Sequence, residues 1–300
     1  MPRQFILSPR AATALLLPGL FVFLWSTGFI GSKIVVQHAP PLTFLAMRLG
    51  IASLALVPLL VLLPCKWPDR LSIYLHSAIV GILVHGLYLG GVFVAISLGT
   101  GAGLSALIVG LQPLLTLCLS VIFIGEKAEP LKVAGVLVGL AGFIIVISDQ
   151  ITFSQLSISG LILCSVSLLG ISAGTVYQKR ITTDIDLLPG VFIQYIGATL
   201  ALLPFAILLE TNEINWNAEF ILASAWLVLG LSVGAVLLLM RFIQSSEAGN
   251  VASLFYLVPP LTALEAFLLF DEALSPIAIA GMLLSVAGVA MVLHRPKSHA

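Results

Sequence analysis

Residues 113–142 read PLLTLCLSVIFIGEKAEPLKVAGVLVGLAG, and residues 259–288 read PPLTALEAFLLFDEALSPIAIAGMLLSVAG. The two stretches align without insertion or deletion at a constant shift of 146 residues (259 minus 113). Each contains a proline in an apolar segment, then an acidic turn, then a second apolar segment with spaced small residues. Self-similarity at a fixed spacing predicts two copies of one structural unit.

The composition indicates an integral membrane protein. The chain has 300 residues, of which 9% are charged and 60% hydrophobic, and its mean hydropathy is +1.17. A soluble domain has about 25% charged and about 45–50% apolar residues. Apolar runs of about 20 residues can each cross roughly 30 Å of hydrocarbon. The runs lie near 14–36, 42–64, 72–97, 101–124, 130–148, 157–178, 188–209, 219–243, 248–270 and 275–293.

The expected fold is an all-α membrane protein with ten transmembrane helices, arranged as two inverted five-helix repeats. The apolar runs lack the period-two alternation of outer-membrane strands, so helices are the spanning structure that fits them. The repeat shift carries Gly28 onto Gly174, and we expect two domains, at 1–149 and 150–300. Because five is an odd number, the second copy must enter the membrane from the opposite side.

The distribution of charge predicts the orientation in the membrane. The formal net charge is zero, which gives no indication of a nucleic-acid partner. With ten spans, basic residues collect on the side that carries both termini, and this bias places that side in the cytoplasm. We therefore expect a multi-pass protein of the cell inner membrane with cytoplasmic N and C termini. The basic residues of that side are Arg3, Arg10, Lys66, Arg70, Lys127, Lys132, Lys179, Arg180, Arg241, Arg295 and Lys297.

Several short motifs together carry a family resemblance. They are a tryptophan, small-residue and lysine run (Trp25, Ser26, Thr27, Gly28, Gly31, Lys33), Pro41 followed by Arg48, Leu111-Gln112-Pro113, Gly125-Glu126, and a glycine-rich fifth segment. This pattern resembles the drug/metabolite transporter superfamily, specifically its EamA-type members with ten helices. The resemblance covers nearly the whole chain. It implies export of small metabolites, typically amino acids or amphiphilic cations, by a bacterial inner-membrane protein.

The second repeat departs from that pattern at two positions. Ile171 stands where the tryptophan would recur, and Gln194 stands where the arginine would recur. The two halves are therefore not expected to bind a substrate equally.

Inverted repeats imply transport independently of the resemblance. Two similar units related by a pseudo-two-fold axis in the membrane plane can rock against each other and expose a midplane cavity to either side. A proline removes one backbone hydrogen bond from a helix. Pro113 and Pro259 occupy equivalent positions, so we predict matched hinges that face the cavity. An ordinary membrane-helix kink is the alternative for either proline.

Three charged residues are candidates for gating or coupling, because ionisable groups inside a membrane are costly and are functional candidates. Arg48 lies about 10 Å below the outer surface at the rise of an α-helix, and Glu265 lies at a similar depth. The two side chains could pair, and Glu265 could titrate during transport. The alternatives are snorkelling for Arg48 and a buried structural carboxylate for Glu265. Lys33, at a helix end, is either an interfacial anchor or part of a gate.

Polar and aromatic residues inside the spans are candidates for substrate binding. His85 lies near the centre of the third predicted helix, with Tyr88 three residues later on the same face. We predict a cavity wall, with hydrogen-bonded packing as the alternative. No second histidine or cysteine stands at metal-ligand spacing around His85, and we expect neither a metal nor a cofactor. The other candidate wall residues are Gln112, Tyr256, Trp25, Tyr177 and Trp226.

An enzyme is a remote alternative. Residues 170–174 read GISAG and match G-x-S-x-G, the motif that presents a nucleophilic serine in hydrolases. An intramembrane serine protease would also need a histidine base, for which His85 is available. The repeat explains the match, however, because Ser26 and Gly28 recur as Ser172 and Gly174. There is no phosphate-binding loop, so a nucleotide-driven pump is not expected.

We therefore expect a secondary exporter of small metabolites that works by alternating access around a midplane cavity. Amino acids, aromatic or hydrophobic ones first, are the favoured substrates. A multidrug or quaternary-ammonium exporter is the alternative, and a non-transporting membrane sensor is a further one. The expected partners are the small-molecule substrate and the lipid bilayer, with the chain a monomer or a homodimer.

Overall fold

The structure, a computed structural model, describes residues 9–125, 129–153, 157–181, 185–235, 237–238, 257–272 and 275–293. These residues form helices and no strand. The elements are α1 (Pro9–Val35), α2 (Pro41–Leu62), α3 (Leu71–Gly81), π1 (Ile82–Leu87), α4 (Tyr88–Ser97), α5 (Ala102–Gly110), α6 (Gln112–Ile124), α7 (Pro130–Phe153), α8 (Ile158–Ile181), α9 (Leu187–Leu209), α10 (Ala218–Ala225), π2 (Trp226–Ala235), α11 (Val258–Phe270) and α12 (Pro276–Leu293).

Six stretches of described helix are long and apolar enough to cross a membrane. They are Pro41–Leu62, Leu71–Ser97, Ala102–Ile124, Ile158–Arg180, Leu187–Leu209 and Ala218–Ala235. Shorter apolar helices cover Gly19–Val35, Pro130–Val146, Val258–Phe270 and Pro276–Val292. Large apolar side chains on the outside, such as Leu208 at 80% exposure and Val61 at 78%, suit contact with lipid. The prediction of an all-helical membrane protein is confirmed.

The glycine-rich helices α7 and α12 pack closely against each other. A Cβ atom added at Gly135 would lie 2.7 Å from the carbonyl oxygen of Gly288, and one added at Gly281 would lie 2.8 Å from that of Gly142. Because Gly135 precedes Gly142 while its partner follows Gly281, the two helices run antiparallel. The small-residue face therefore serves close packing within one chain.

The contacts of α7 and α12 are reciprocal under the repeat shift. Adding 146 carries Gly135 onto Gly281 and Gly142 onto Gly288, so each contact between the two helices is converted into the other. The hydroxyl of Ser285 donates to the carbonyl oxygen of Gly139, 146 residues earlier, at 3.2 Å. Equivalent residues of the two repeats thus meet each other.

Most other helix contacts also join the two halves. α2 packs on α9, α5 on α11, α3 and α4 on α8, and α1 on π2. The largest apolar core lies among α2, α4, α9 and α10, where Phe44 stacks on Phe93 and meets Phe220 edge-on. The halves are interleaved, so a movement of one repeat against the other has to rearrange this whole set of helix pairs.

Two π-helical segments lie at matching places in the halves. The repeat shift carries 82–87, which is π1, onto 228–233 inside π2. A π turn adds a residue to the helical turn, which re-aims the side chains on it, and such turns occur frequently at functional sites. No residue pattern predicts either segment.

The helix before Pro113 is interrupted, as a proline at this position predicts. α5 ends at Gly110, α6 begins at Gln112, and Leu111 between them is a turn. Pro259 lies in the first turn of α11, and a Cβ atom added at Gly110 would lie 2.6 Å from its ring. The two proline regions of the repeats therefore pack against each other.

Candidate functional site

A cavity of about 260 Å³ lies among helices of both halves. Its volume is near the lower end of the range of about 300–1,000 Å³ that small-molecule sites have, and its lining is mainly apolar. The lining residues are Trp25, Gly28, Phe29, Ser32, Arg48, Leu49, Val84, His85, Tyr88, Leu89, Val92, Phe93, Ile171, Gln178, Leu187, Val191, Gln194, Tyr195, Leu231, Ser232 and Ala235. Such a chamber suits an amphipathic solute of metabolite size.

Arg48 is the charged residue among the described side chains that line this cavity. Its side chain is buried, and its Nε donates to the hydroxyl of Ser232 on π2 at 3.1 Å. The hydroxyl of Tyr195 donates to the backbone carbonyl oxygen of Ser232 at 2.9 Å, and the hydroxyl of Ser232 donates to the carbonyl oxygen of Leu227 at 3.2 Å. Within the described part of the chain Arg48 has no carboxylate partner. The cavity thus presents a positive charge that no described carboxylate balances.

His85 faces the same cavity from π1. Its Nε2 lies 3.3 Å from Oε1 of Gln194 and donates to it, because that oxygen is an acceptor. The imidazole ring meets the ring of Tyr195 edge-on, with centroids 4.8 Å apart. His85 and Tyr88 both line the cavity, as expected, together with Trp25 and Arg48.

Arg48 and Gln194 occupy equivalent positions in the two repeats and make similar contacts. Gln194 lies 146 residues after Arg48, and each bonds a side chain on the π segment of the other half. The departure from the family pattern at Gln194 therefore removes a charge and keeps the contact. Sequence reasoning did not select Ser232 or Tyr195 for the site. The repeat shift relates Gln194 to Arg48, and this makes Gln194 and its neighbour Tyr195 candidates for the site. No sequence pattern indicates Ser232.

The expectation that Gln112 and Tyr177 line the cavity is wrong. The turn at Leu111 directs Gln112 toward α8, where its Nε2 donates to the hydroxyl of Thr175 at 3.1 Å. Tyr177 lies on the face of α8 that packs on α3, and its hydroxyl is 2.8 Å from Nδ1 of His76. Both side chains belong to contacts between helices.

Trp226 is also placed differently from expectation. It begins π2 and points toward α1, where its Nε1 donates to the hydroxyl of Thr27 at 3.0 Å. The indole is 40% exposed on the outside of the bundle. It is therefore a contact between helices at the lipid-facing surface. Tyr256, the remaining candidate wall residue, lies outside the described residues.

Glu265 lies on the far side of α1 from the cavity. Trp25, Gly28 and Phe29 on α1 line the cavity, whereas Ser26 points the other way and donates to Oε1 of Glu265 at 2.8 Å. Oε2 of this carboxylate is buried without a hydrogen-bond partner among the described residues. The pair that Glu265 and Arg48 could form is not made, because α1 lies between them and each side chain has a different partner.

Lys33 ties three helices together at one end of the bundle. It forms an ion pair with Glu272, which follows α11, and its ammonium lies 4.2 Å from the ring centre of Phe270. The same carboxylate accepts hydrogen bonds from the backbone N–H groups of Ala102 and Gly103, at 3.2 and 3.4 Å, in the first turn of α5. A carboxylate at a helix N-terminus is favourable. Lys33 is therefore more than an interfacial anchor, because it links α1 to α5 and α11 through Glu272.

The G-x-S-x-G segment does not form a nucleophile site in this structure. The hydroxyl of Ser172 is buried without a hydrogen-bond partner in the described part of the chain, and the imidazole of His85 bonds Gln194. A serine nucleophile needs a base within hydrogen-bond reach, and here the two residues are not paired. No group of three or more metal-ligating side chains occurs among the residues that the structure describes.

Comparison with known proteins identifies the family. The model of the EamA-like transporter family matches twice, at residues 12–148 and 158–294. The chain is 31% identical over 296 residues to the uncharacterized transporter YvbV of Bacillus subtilis, covering 97% of this chain and 94% of the relative. It is 25% identical over 284 residues to a probable amino-acid metabolite efflux pump of Salmonella typhimurium, covering 90% of this chain and 91% of that protein.

A solved structure supports the fold. A crystal structure with a TM-score of 0.65 and 22% sequence identity covers 94% of this chain and 97% of its own. At this identity the likeness concerns the fold alone. The family match and the relatives settle the class: the chain is a multi-pass membrane protein that belongs to the EamA-like transporter family, with two copies of the family's domain.

Proposed function

We propose that this protein is a secondary exporter of small amphipathic metabolites that carry a carboxylate, with aromatic and hydrophobic amino acids as the favoured substrates. The observation that carries the proposal is Arg48, a buried cation in a mainly apolar cavity without a described carboxylate beside it. Apolar walls accept the hydrophobic part of such a solute and a few placed polar groups fix its orientation. The relative in Salmonella typhimurium, a probable amino-acid metabolite efflux pump, supports the same substrate class.

The proposed architecture is ten transmembrane helices in two inverted repeats, 1–149 and 150–300, with both termini in the cytoplasm of the inner membrane. The reciprocal contacts of antiparallel α7 and α12 support inversion, since a two-fold axis that exchanges antiparallel helices is perpendicular to them. For helices that cross a membrane, that axis lies in the membrane plane. Such symmetry supports alternating access by rocking of the repeats around the cavity.

Efflux from proteoliposomes tests the proposed function. Vesicles that contain the purified protein would be loaded with radiolabelled phenylalanine, leucine, aspartate or tetraphenylphosphonium, and efflux would be measured with and without a pH gradient. We expect saturable efflux of phenylalanine and leucine, faster than from protein-free vesicles. Efflux of the cation alone would contradict the proposal and favour a multidrug exporter, a function that the positive charge of Arg48 disfavours.

The two prolines are proposed as hinges, and alanine variants test this role. Pro113→Ala allows α5 and α6 to form one continuous helix, because it restores a backbone donor and removes the steric clash of the ring. We expect Pro113→Ala and Pro259→Ala to change the efflux rate severalfold while the melting temperature changes little. Wild-type efflux rates in both variants would leave the prolines as ordinary kinks.

Glu265 is proposed as the group that couples transport to protons. An ionised carboxylate in a membrane is costly unless it is paired, and Glu265 is bonded to the neutral Ser26. The helix of Glu265 packs on α1, α5 and α12. Among the described side chains of those three helices, the charged one is Lys33, and it is paired with Glu272. Proton exchange at Glu265 would loosen or tighten its bond to α1, which forms the cavity wall.

The variant Glu265→Gln keeps an acceptor for Ser26 and removes the exchangeable proton. We expect efflux that no longer accelerates when a pH gradient is imposed, with substrate affinity unchanged. The measurement is efflux from proteoliposomes across a series of pH gradients, with Glu219→Gln as the matched control, since Glu219 is an exposed carboxylate at the surface. Full pH-dependent efflux by the Glu265 variant would exclude this role.

A further inference from the structure

We infer that the cavity recognises its substrate through the carboxylate alone, so that apolar monocarboxylates without an ammonium group bind at least as tightly as the corresponding amino acids. The inference rests on the proposed function and specifies which group of the substrate the cavity recognises. It follows from an asymmetry in the cavity, which offers a full positive charge to an anion and no described negative charge to a cation.

The anion side of this asymmetry is the guanidinium of Arg48. A guanidinium has five N–H donors in a planar fork that matches a carboxylate in two-point contact. The hydrogen bond that Arg48 makes among the described residues uses Nε, with Ser232 as the acceptor. The two terminal nitrogens make no hydrogen bond within the described part of the chain and remain for a carboxylate. Because the hydroxyl of Ser232 donates to the carbonyl oxygen of Leu227 at 3.2 Å, it presents its acceptor side to Nε and orients the fork before the substrate arrives.

The described lining of the cavity offers little to bind a cation. The described lining residues include no aspartate or glutamate. Of the neutral acceptors in the lining, Oε1 of Gln194 already accepts from His85, and a neutral oxygen supplies no countercharge. Glu265, the carboxylate in α11, lies beyond α1 and bonds Ser26. An ammonium group brought into this cavity would lose its hydration without gaining a countercharge, which is unfavourable.

Arg48 also opposes an ammonium directly. Like charges in a low-dielectric site repel strongly, and in the compact cavity an α-ammonium group is carried close to the carboxylate that Arg48 binds. The apolar remainder of the substrate meets aromatic and aliphatic walls, including Phe29, Val92 and Phe93. Removal of the ammonium thus removes an unfavourable contact and leaves both favourable ones in place.

Three probes of the same carbon skeleton test the inference. They are 3-phenylpropanoate with a carboxylate, L-phenylalanine with both charged groups, and 2-phenylethylamine with an ammonium alone. Each would compete with efflux of labelled phenylalanine from proteoliposomes at pH 7, where a carboxyl group of ordinary pKa is ionised. We expect 3-phenylpropanoate to compete at the same or a lower concentration than L-phenylalanine, and 2-phenylethylamine to compete at least about tenfold more weakly.

The outcomes separate this inference from the proposed function. L-Phenylalanine that competes more than threefold better than 3-phenylpropanoate would overturn the inference and leave the carboxylate exporter standing. Absence of phenylalanine efflux in every condition would overturn the proposed function itself. As a control, Leu208→Ala changes an 80% exposed side chain on the outer surface and should keep the wild-type order of the three probes.

Discussion

Replacing Arg48 by methionine is expected to stabilise the protein and to abolish binding of carboxylate substrates. Replacing even a buried ion pair by apolar residues of similar volume is often stabilising, by about 1–4 kcal/mol, and Arg48 is a buried cation without a carboxylate partner among the described residues. Loss of one partner of a desolvated charge pair costs about 2–5 kcal/mol of binding, which is about 30-fold or more in affinity. Stability and function should therefore change in opposite directions.

The measurement is thermal unfolding of wild-type and Arg48→Met protein, each with and without 3-phenylpropanoate. We expect a higher melting temperature for the unliganded variant and no further rise when the ligand is added. Ser232→Ala is the matched control, because it removes the hydrogen bond to Nε and keeps the charge. A variant that is less stable than wild type yet still stabilised by the ligand would contradict the role of Arg48 as the anion site.

Enlarging Gly281 is expected to prevent folding of the helix pair α7–α12. A Cβ atom at this position would lie 2.8 Å from the carbonyl oxygen of Gly142 and 2.9 Å from a side-chain carbon of Ile145. Overpacking by one or a few methylenes costs about 1–3 kcal/mol, occasionally more, and here the obstacle is backbone that cannot rotate away. We expect Gly281→Leu to exceed that range and Gly281→Ala to fall within it.

The yield of monodisperse protein after detergent extraction, together with its melting temperature, measures this effect. Gly19→Ala is the control, because Gly19 is an exposed glycine in α1 with no atom near its missing Cβ. It should behave as wild type or be slightly more stable, since alanine favours a helix over glycine. If Gly281→Leu and Gly19→Ala gave equal yield and stability, the close approach of α7 and α12 would be refuted.

The repeat was the most informative part of the sequence. The shift of 146 aligns the spaced small residues of 135–142 with those of 281–288, and the structure packs the two stretches together. It also placed Pro113 at a helix interruption. These features could be predicted because each depends on local backbone chemistry: a glycine permits close approach, and a proline cannot donate a backbone hydrogen bond.

The direction in which side chains point could not be predicted to the same degree. In a soluble helix the apolar face marks the core, whereas a helix in lipid is apolar on its buried and its exposed faces alike. Trp226 and Tyr177 were therefore assigned to a cavity from their depth alone, and the structure places both in contacts between helices. The two π segments also change the direction in which side chains point, and no residue pattern in 82–87 or 228–233 predicts them.

The contact of Lys33 with Glu272 shows a second limit. The repeat relates Lys33 to Lys179 and Glu272 to Glu126, but it does not say which element of one half meets which element of the other. Which elements meet is determined by how the helices of the two halves pack between one another. For the same reason the similar depth of Arg48 and Glu265 leaves a pair open, although α1 lies between them.

Accessibility of the cavity from the two sides of the membrane tests the central claim most directly. Leu231→Cys would be introduced after Cys65, Cys118 and Cys164, all free thiols, are replaced by serine, because Leu231 lines the cavity. Vesicles of both orientations would then be treated with a charged, membrane-impermeant thiol reagent. Alternating access predicts labelling from either side and protection by substrate from both. Labelling from one side alone, in a variant that still transports, would contradict it.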